Sequence, residues 1–471
     1  MYSPARPANP DGHYWTTGNE QSASQQSAMV TPIDAASSAP ASSPRWNSAT
    51  RIAFRFCFLY FGLYIVFTQM LTSLLFAATN DNGAFEVDYT RPFEAVILWV
   101  GRHVFGITHP ILTALTGSGD RLFDWLELPC ILALAILGTL IWSILDRERE
   151  SYSKMYSWFR VFIRFALSAS MLSYGAAKIL PLQMPFPNLN RLLEPYGNFS
   201  PMGVLWASIG ASQAYEIFAG SAEMLGGILL IFPRTTTLGA LICLADATQV
   251  FMLNMTYDVP VKLLAFHLIL ASLFLLAGDA RRLANVFFLD RPAPPSSNRL
   301  LFRSVRSNRI ALAVQILFGV WLVGANLYGS VSIYNIYGPA RPKSPLYGIW
   351  DVQDFTLDGQ PHPPLLTDTA RWRRIVFDYP QYTSIQGMNE DTGHYYGAKI
   401  DMATKAIALS KPNDKNWSAN FSFSQPAAGE LILDGSMDGH KIHAQLQLFD
   451  RSKFLLVSRG FHWVQDHPFN H

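Results

Sequence analysis

The residues of this sequence with the clearest chemical potential are ionisable side chains placed inside long apolar stretches. Such a side chain at membrane depth costs on the order of 2.5 to 3.5 kcal/mol, so it normally faces the interior of a helix bundle or a water-filled cavity. The embedded set consists of Arg164, Lys178, Glu216, Glu223, Asp246, Lys262 and His267. We therefore expect these groups to face one another between helices rather than the lipid.

The depths of these groups predict two layers. A rise of about 1.5 Å per residue, counted along each predicted helix, gives each side chain a height within the membrane. The inner layer contains Arg164, Glu223, Asp246 and His267. The outer layer contains Tyr174, Lys178, Glu216 and Lys262. Glu216 and Glu223 are seven residues apart, so both are expected on one face of the same helix.

Opposite charges at similar depth predict ion pairs. Arg164 is expected to pair with Glu223 or Asp246, and the three form a predicted intramembrane charge network. Glu216 is expected to pair with one of the two outer-layer lysines. Such pairs have a purely structural interpretation, in which they hold the helices in register. The functional alternative is a polar cavity, open to the outer face, that holds a small polar substrate or a quinone head group.

Five residues are the candidates for binding such a ligand. They are Tyr174, Lys178, Glu216, Lys262 and His267. His267 is the only histidine in a well-defined span, and one histidine or carboxylate beside an apolar cleft is enough to hydrogen-bond a quinone oxygen. A single histidine inside a membrane is more often a packed or hydrogen-bonded residue, so both interpretations of His267 stay open.

The elements that must position these residues are seven apolar stretches. A bilayer core of about 30 Å requires roughly 20 apolar residues of helix. The predicted spans cover residues 52–77, 122–145, 158–180, 203–232, 236–254, 260–277 and 310–331. A shorter amphipathic stretch at 93–107 is expected to be an interfacial helix. The chain is therefore predicted to be a multi-pass membrane protein whose first partner is the lipid bilayer.

The distribution of basic residues predicts the orientation. The loop at 278–309 contains seven arginines, and the positive-inside rule places it in the cytoplasm. With seven helices, the N-terminus is then cytoplasmic and residues 332–471 lie outside the cytoplasm. Residues 1–50, rich in Ser, Ala, Pro and Gln, are expected to form a disordered cytoplasmic tail. A net charge of +2 argues against a nucleic-acid partner.

The C-terminal part has the pattern of an antiparallel β-barrel. Short runs of alternating apolar and polar residues extend from Tyr347 to His471. Turn signals separate them, among them Asp358-Gly359 and Asp434-Gly435. Eight or nine short strands in about 125 residues suit a meander that closes into a barrel.

Two runs within the spans resemble the DoxX family of small bacterial membrane proteins. The first extends from Arg164 to Lys178 and ends in Gly-Ala-Ala-Lys, and the second begins at Glu223 and contains Gly226-Gly227 before the Arg234-Thr235 turn. The resemblance covers about residues 155–280 and implies a four-helix core in a bacterial inner membrane. It also implies a membrane subunit of a quinone-linked redox system, working with a redox partner subunit. Three additional spans and the external domain depart from the short family form.

The β domain carries a second resemblance. Gly348-Ile-Trp350 opens its first strand and Arg459 is expected on its last, which is similar to the Gly-x-Trp and closing Arg of lipocalin-like barrels. In those barrels the Trp plugs one end and the Arg packs across it. The alternative is that Trp350 simply caps a β core.

No tightly bound cofactor is predicted. The three cysteines, Cys57, Cys130 and Cys243, all lie in predicted spans and form no reactive pair near the outer surface. A b-type haem needs two histidines at matching depth, and the histidines of the β domain have no recognised metal spacing. A quinone or a small lipid-like molecule remains as the expected ligand. The competing class is a non-enzymatic ligand-binding, transport or assembly module with a membrane-anchored β domain.

Overall fold

The helical part of the molecule precedes the β domain. The computed structural model describes residues 45–75, 93–114, 119–294, 300–390 and 392–469. Within these ranges the helices ahead of the first strand are α1 (Ser48–Phe67), α2 (Gln69–Leu75), α3 (Glu94–His103), α4 (Leu122–Leu145), α5 (Ser153–Ile179), α6 (Leu189–Leu193), α7 (Pro201–Gly210), α8 (Gln213–Ile231), α9 (Thr236–Thr256), α10 (Lys262–Ala277), α11 (Ala280–Phe287) and α12 (Val305–Ile336).

Five of the described helices are long and apolar enough to cross a membrane. They are α1, α4, α8, α9 and α12, and the bent pair α10–α11, with an angle of 84° between its helices, has the composition of a sixth span. The helical membrane part expected from the sequence is thus confirmed. α5 has sufficient length at 27 residues, but its basic residues keep it outside this apolar class. The number of seven spans therefore stays a prediction.

Two predicted spans are broken. The stretch 52–77 divides into α1 and α2 at Thr68, as far as the structure describes it. The stretch 203–232 divides into α7 and α8 at Ala211 and Ser212, because the Ser212 side chain accepts a hydrogen bond from the Tyr215 N–H at 3.4 Å and begins a new helix. A single continuous helix over 203–232 was therefore a wrong prediction.

The predicted disordered tail over residues 1–50 lies, up to residue 44, outside the described residues. The predicted end of the tail, at residue 50, is three residues too late, since α1 begins at Ser48. The reason is local: the Asn47 side chain accepts a hydrogen bond from the Thr50 N–H at 2.7 Å and caps the helix. The expected interfacial stretch at 93–107 contains α3.

The β domain is a closed antiparallel barrel. Its strands are β1 (Gly348–Leu357), β2 (Gln360–Pro361), β3 (Trp372–Tyr379), β4 (Tyr382–Gly387), β5 (His394–Asp401), β6 (Ala406–Lys411), β7 (Asp414–Ser424), β8 (Glu430–Met437) and β9 (His440–Leu448). Each strand from β3 to β9 pairs with the next, and β1 pairs with both β3 and β9, which closes eight strands. β2 is a short addition to the edge of β1. A barrel leaves no unpaired edge, and its inward apolar residues form one core.

One end of the barrel differs from the lipocalin-like expectation. Trp350 is buried on β1, and its indole N–H donates to the Leu346 carbonyl at 2.9 Å. Arg459 is not on the last strand, because the chain leaves the barrel at Leu448 and Arg459 follows a short helix, α13 (Leu455–Ser458). The fully buried arginine is Arg371, whose guanidinium donates to the carbonyl oxygens of three barrel residues. The closing role predicted for Arg459 was wrong.

The barrel packs directly on the helical part. Leu189 of α6 is buried with Ile349 and Val376 of the barrel. The Asp378 carboxylate on β3 accepts hydrogen bonds from the Leu189 N–H at 3.0 Å and from Arg341, in the α12–β1 connection, at 2.5 Å. A buried carboxylate that accepts hydrogen bonds from both segments ties the barrel to α6 and to the connection after α12.

Candidate functional site

The site is built on a close contact between α5 and α8. Gly175 faces Gly220, and a Cβ atom at Gly175 would lie 2.8 Å from the Met224 backbone nitrogen and 2.9 Å from the Gly220 oxygen. Two helical turns away, the Ser168 hydroxyl donates to the Gly227 carbonyl at 2.7 Å. Small residues allow two membrane helices to approach until their backbones touch. This approach determines which side chains of α5 and α8 meet.

The charged pair that this contact creates is Lys178 with Glu223. The Lys178 Nζ donates to Glu223 Oε1, and both side chains are buried. The predicted pairing of Arg164 with Glu223 was therefore wrong. Height alone was misleading, because the contact of Gly175 with Gly220 places Lys178 within one helical turn of Glu223. The long lysine side chain then reaches the carboxylate.

Glu216 lies on the same face of α8, as its spacing from Glu223 predicted. Its Oε1 accepts a hydrogen bond from the Met184 N–H at 2.9 Å, and the side chain has no exposed surface. No lysine pairs with it among the described residues, so the predicted pair with Lys178 or Lys262 was wrong. The Met184 N–H replaces the lysine because the chain after α5 turns back across the end of α7.

A cavity of about 480 Å³ adjoins these groups between α5, α7, α8, α9 and α10. Its polar side contains Tyr174, Lys178, Glu216, Glu223 and Asp246. Its remaining wall is largely apolar and includes Met171, Leu205, Trp206, Phe218, Val250 and Leu264. Three of the five predicted ligand candidates and two of the three predicted network residues thus share one cavity.

Three residues that line the cavity each have a buried acceptor atom without a hydrogen-bond partner in the described structure. Within the part of the chain that the structure describes, Gln183 Oε1, Glu216 Oε2 and Glu223 Oε2 accept no hydrogen bond. A buried polar atom left unpaired costs roughly 1 to 3 kcal/mol, so such atoms are rare in folded proteins. Three of them on one cavity make it suited to a ligand that donates hydrogen bonds.

Lys262 lies outside this cavity. Its Nζ is 3.0 Å from Asp258 Oδ1, and its backbone N–H donates to Asp120 Oδ2 at 2.5 Å. The adjacent Leu263 N–H donates to Asp120 Oδ1 at 2.9 Å, so Asp120 caps the start of α10. In this structure Lys262 belongs to the cap of a helix.

His267 is also outside the cavity, on the side of α10 that faces α1. Its Nδ1 donates to the Leu263 carbonyl at 2.7 Å, and in the neutral ring its Nε2 accepts from the Tyr60 hydroxyl at 2.8 Å. The ring stacks on Tyr64 with centroids 3.5 Å apart. Both ring nitrogens are occupied, which is the arrangement of a packed histidine.

Arg164 is separated from the other network residues. It lies on the part of α5 far from the cavity, and its guanidinium donates to the Gln315 side chain of α12. Asp246 lines the cavity on α9, and no hydrogen bond or ion pair of its side chain is seen within the described ranges. The predicted network of Arg164, Glu223 and Asp246 is therefore not a single cluster. The depth of a residue in the membrane does not determine which neighbouring helix it contacts, and Arg164 contacts α12.

A second cavity lies between the helices and the barrel. It has a volume of about 670 Å³, and Met202 and Trp206 of α7 line both cavities. Its wall includes Arg191, Arg341, Lys343, Arg451, Tyr347 and Tyr395. Burial raises the pKa of the Tyr347 and Tyr395 hydroxyls, so both stay neutral and able to donate. We call this space the vestibule, since it shares Met202 and Trp206 with the cavity between the helices.

Several residues of the site are missing from the sequence predictions. They are Gln183, Met184, Met202 and Trp206, all in the 181–212 region that was interpreted as a loop and the start of a span. The available signal was Ser212, a residue type that commonly begins helices. Treating Ser212 as the start of a helix would have separated α7 from α8 in the prediction.

Comparison with known proteins gives one informative match. No family model matches the chain, and no solved structure matches it. It is similar to the protein described as uncharacterized protein YwoB of Bacillus subtilis (strain 168), with 30% identity over 145 residues. The match covers 88% of YwoB and 31% of this chain. Most of the chain, therefore, lies outside the shared region.

Proposed function

The chain belongs to the same family as the uncharacterized YwoB protein, and from this premise and the geometry of the cavity we propose that it binds a quinol-type head group as a membrane component of a quinone-linked redox system. The observation that carries the proposal is the set of three unpaired acceptor oxygens on side chains that line the cavity. A quinol has two ring hydroxyls, which donate hydrogen bonds, on an otherwise apolar ring. The cavity also combines a few polar side chains with a largely apolar remaining wall, which suits such a ring.

The residues of the chain have separate tasks in this proposal. Glu216 Oε2 and Glu223 Oε2 accept hydrogen bonds from the ligand hydroxyls, and Gln183 Oε1 offers a third acceptor. Lys178 holds Glu223 through its other oxygen and so orients the free one. Oxidation of a bound quinol passes two electrons to the redox partner subunit and releases two protons. The carboxylates of Glu216, Glu223 and Asp246 are the groups of the cavity able to take up those protons.

The family resemblance supports the same proposal. The motif residues of the two DoxX-like runs meet in space, with Gly175 against the α8 backbone and Lys178 on Glu223. We propose that the α5–α10 region is a DoxX-like core and that the barrel is a lipocalin-like domain on the outer side of a bacterial inner membrane. The vestibule then provides a route for the ligand, with α7 between the two spaces.

A second candidate is a binding or transport module without redox chemistry. The specific observation in its favour is charge: Glu216, Glu223 and Asp246 oppose the single cation Lys178 on the cavity wall. With all four groups ionised, the cavity has an excess of two negative charges and attracts a small organic cation. Such a cation also donates hydrogen bonds if it is an amine.

The experiment compares ligand binding and stability in one variant. Glu216→Gln keeps an oxygen for the Met184 N–H and replaces the free acceptor with a donor, so it opposes a hydroxyl ligand. We expect affinity for a soluble quinol to fall about tenfold or more, since a hydrogen bond to a charged group contributes roughly 1.5 to 3 kcal/mol. The melting temperature of the purified protein should not change. Glu150→Gln, on an exposed residue, is the matched control.

The outcomes distinguish the candidates. Lost quinol binding in Glu216→Gln with unchanged melting, and normal binding in the control, supports the proposal. Unchanged quinol binding with a large fall in melting temperature contradicts it, because Glu216 would then serve only the fold. Stabilisation of the wild type by a small amine but not by a quinol favours the second candidate.

A further inference from the structure

Arg164 has a neutral partner where a charged one is expected. It is 5% exposed on α5, its guanidinium donates to the Gln315 side chain, and its Nε has no hydrogen-bond partner within the described residues. A buried charge without a counter-charge is strongly destabilising. Membrane helices normally place such a group beside an opposite charge or in a polar cavity. Arg164 therefore indicates a place for an anion.

A pocket of about 560 Å³ opens beside Arg164, between α5, the α8–α9 turn and α12. Four arginines line it, Arg160, Arg164, Arg234 and Arg309, and no acidic side chain lines the described part of it. Arg160 lies 3.6 Å from the Asp279 carboxylate. The other three have no ion pair among the residues that the structure describes. The pocket thus carries an excess of positive charge that the described residues do not neutralise.

An apolar groove continues from this arginine pocket along α5 and α12. It is lined by Trp158, Phe165, Phe302, Ile310, Val314 and Phe318, and it shares Val161 and Gln315 with the pocket. Ile310 is 65% exposed, so the groove is open to the side of the bundle. Arg309 precedes the end of α12 by 27 residues, about 40 Å of helix, so the pocket lies far from the barrel.

We propose that the arginine pocket binds the phosphate group of an anionic phospholipid from the leaflet farther from the barrel. The phosphate lies between Arg164, Arg234 and Arg309, and an acyl chain lies in the apolar groove. Basic pockets between membrane helices recognise anionic lipid head groups in this way. A free phosphate is also an anion but has no acyl chain for the groove. The site is separate from the quinol cavity and does not depend on that proposal.

The test uses the full chain in a neutral detergent. Arg234→Gln/Arg309→Gln removes two exposed arginines of the pocket, and Arg306→Gln on α12 is a control that removes an exposed arginine outside it. Binding of phosphatidylglycerol is measured by native mass spectrometry and by the shift in melting temperature. Phosphatidylcholine and inorganic phosphate are added in parallel. Since each basic residue near a lipid surface contributes about fivefold to binding, the double variant should lose on the order of 25-fold in affinity.

Selective loss of phosphatidylglycerol binding in the double variant, with Arg306→Gln unchanged, supports the site. An equal loss in both variants would reflect only net charge and would overturn it. Stabilisation by inorganic phosphate equal to that by phosphatidylglycerol would overturn the lipid assignment in favour of a soluble anion. Arg164→Gln is added as a second variant: if it folds and still binds phosphatidylglycerol as tightly as the wild type, the proposed role of Arg164 is wrong.

Discussion

The buried pair Lys178 and Glu223 combines a structural and a chemical task in one contact. It joins α5 to α8, and the second oxygen of Glu223, a residue that lines the cavity, has no hydrogen-bond partner among the described residues. Two opposite charges in a low-dielectric interior attract strongly, but each has lost its hydration. Removal of one partner therefore has a larger effect than removal of both.

We predict a coupled response from this pair. Glu223→Gln should lower the free energy of unfolding by about 3 to 5 kcal/mol, because the Lys178 charge stays buried without a counter-charge. Lys178→Met/Glu223→Leu should recover part of that loss. The measurement is thermal or denaturant unfolding of the purified protein, with both single variants and the double variant. Additive losses would show that the two groups are not coupled.

At the scale of elements, the contact of α5 with α8 determines the geometry of the cavity. It is the most extensive contact between helices in the described structure. Gly175 and Gly220 face each other there, and a Cβ atom at Gly220 would lie 2.6 Å from the Lys178 Cβ. Any side chain at either position must push the helices apart.

We predict that Gly175→Ala destabilises the protein while a matched glycine tolerates the same change. Forced repacking of a tight contact costs typically 1 to 3 kcal/mol. Gly324 lies on α12, and a Cβ atom there meets nothing within 4 Å, so Gly324→Ala should be close to neutral. Melting temperatures of both variants in detergent are compared with that of the wild type. Equal melting of Gly175→Ala and the wild type would mean that the helices are not in backbone contact.

The break between α7 and α8 is the second decisive element. It moves α7 out of the line of α8 and places Met202 and Trp206 between the cavity and the vestibule. It also allows the Met184 N–H to reach Glu216. A continuous helix would have removed both features.

At the scale of the whole molecule, the barrel is held on the helical part by buried polar contacts. Asp378 accepts hydrogen bonds from α6 and from the connection after α12, and the Ser384 hydroxyl donates to the Asn190 side chain at 2.5 Å. The barrel therefore lies at the membrane end where the vestibule opens. The side of the membrane on which the barrel lies decides from which compartment a ligand enters the vestibule.

We predict that this side is extracytoplasmic. The seven arginines in the 278–309 region favour a cytoplasmic position for that loop, and α12 then leads the chain across the membrane to the barrel. A reporter enzyme active only outside the cytoplasm should be active when fused after His471 and silent when fused after Arg299. The reverse result would invert the orientation and place the vestibule in the cytoplasm.

Much of this protein follows from local properties of its sequence. Apolar runs predict membrane helices because transfer from water to lipid is a property of each segment. Alternation with a period of two predicts the barrel strands because side chains alternate across a strand. The seven-residue spacing of Glu216 and Glu223 predicts that both lie on one helix face, and both residues line the same cavity.

Which charged groups meet was decided by the tertiary structure alone. The partner of a charge depends on which residues of two helices lie side by side, and for α5 and α8 this is set by the contact of Gly175 with Gly220 rather than by the length of either span. For this reason Glu223 contacts Lys178, while Arg164 contacts α12. For the same reason Lys262 and His267 lie outside the cavity, although their depths match those of residues within it.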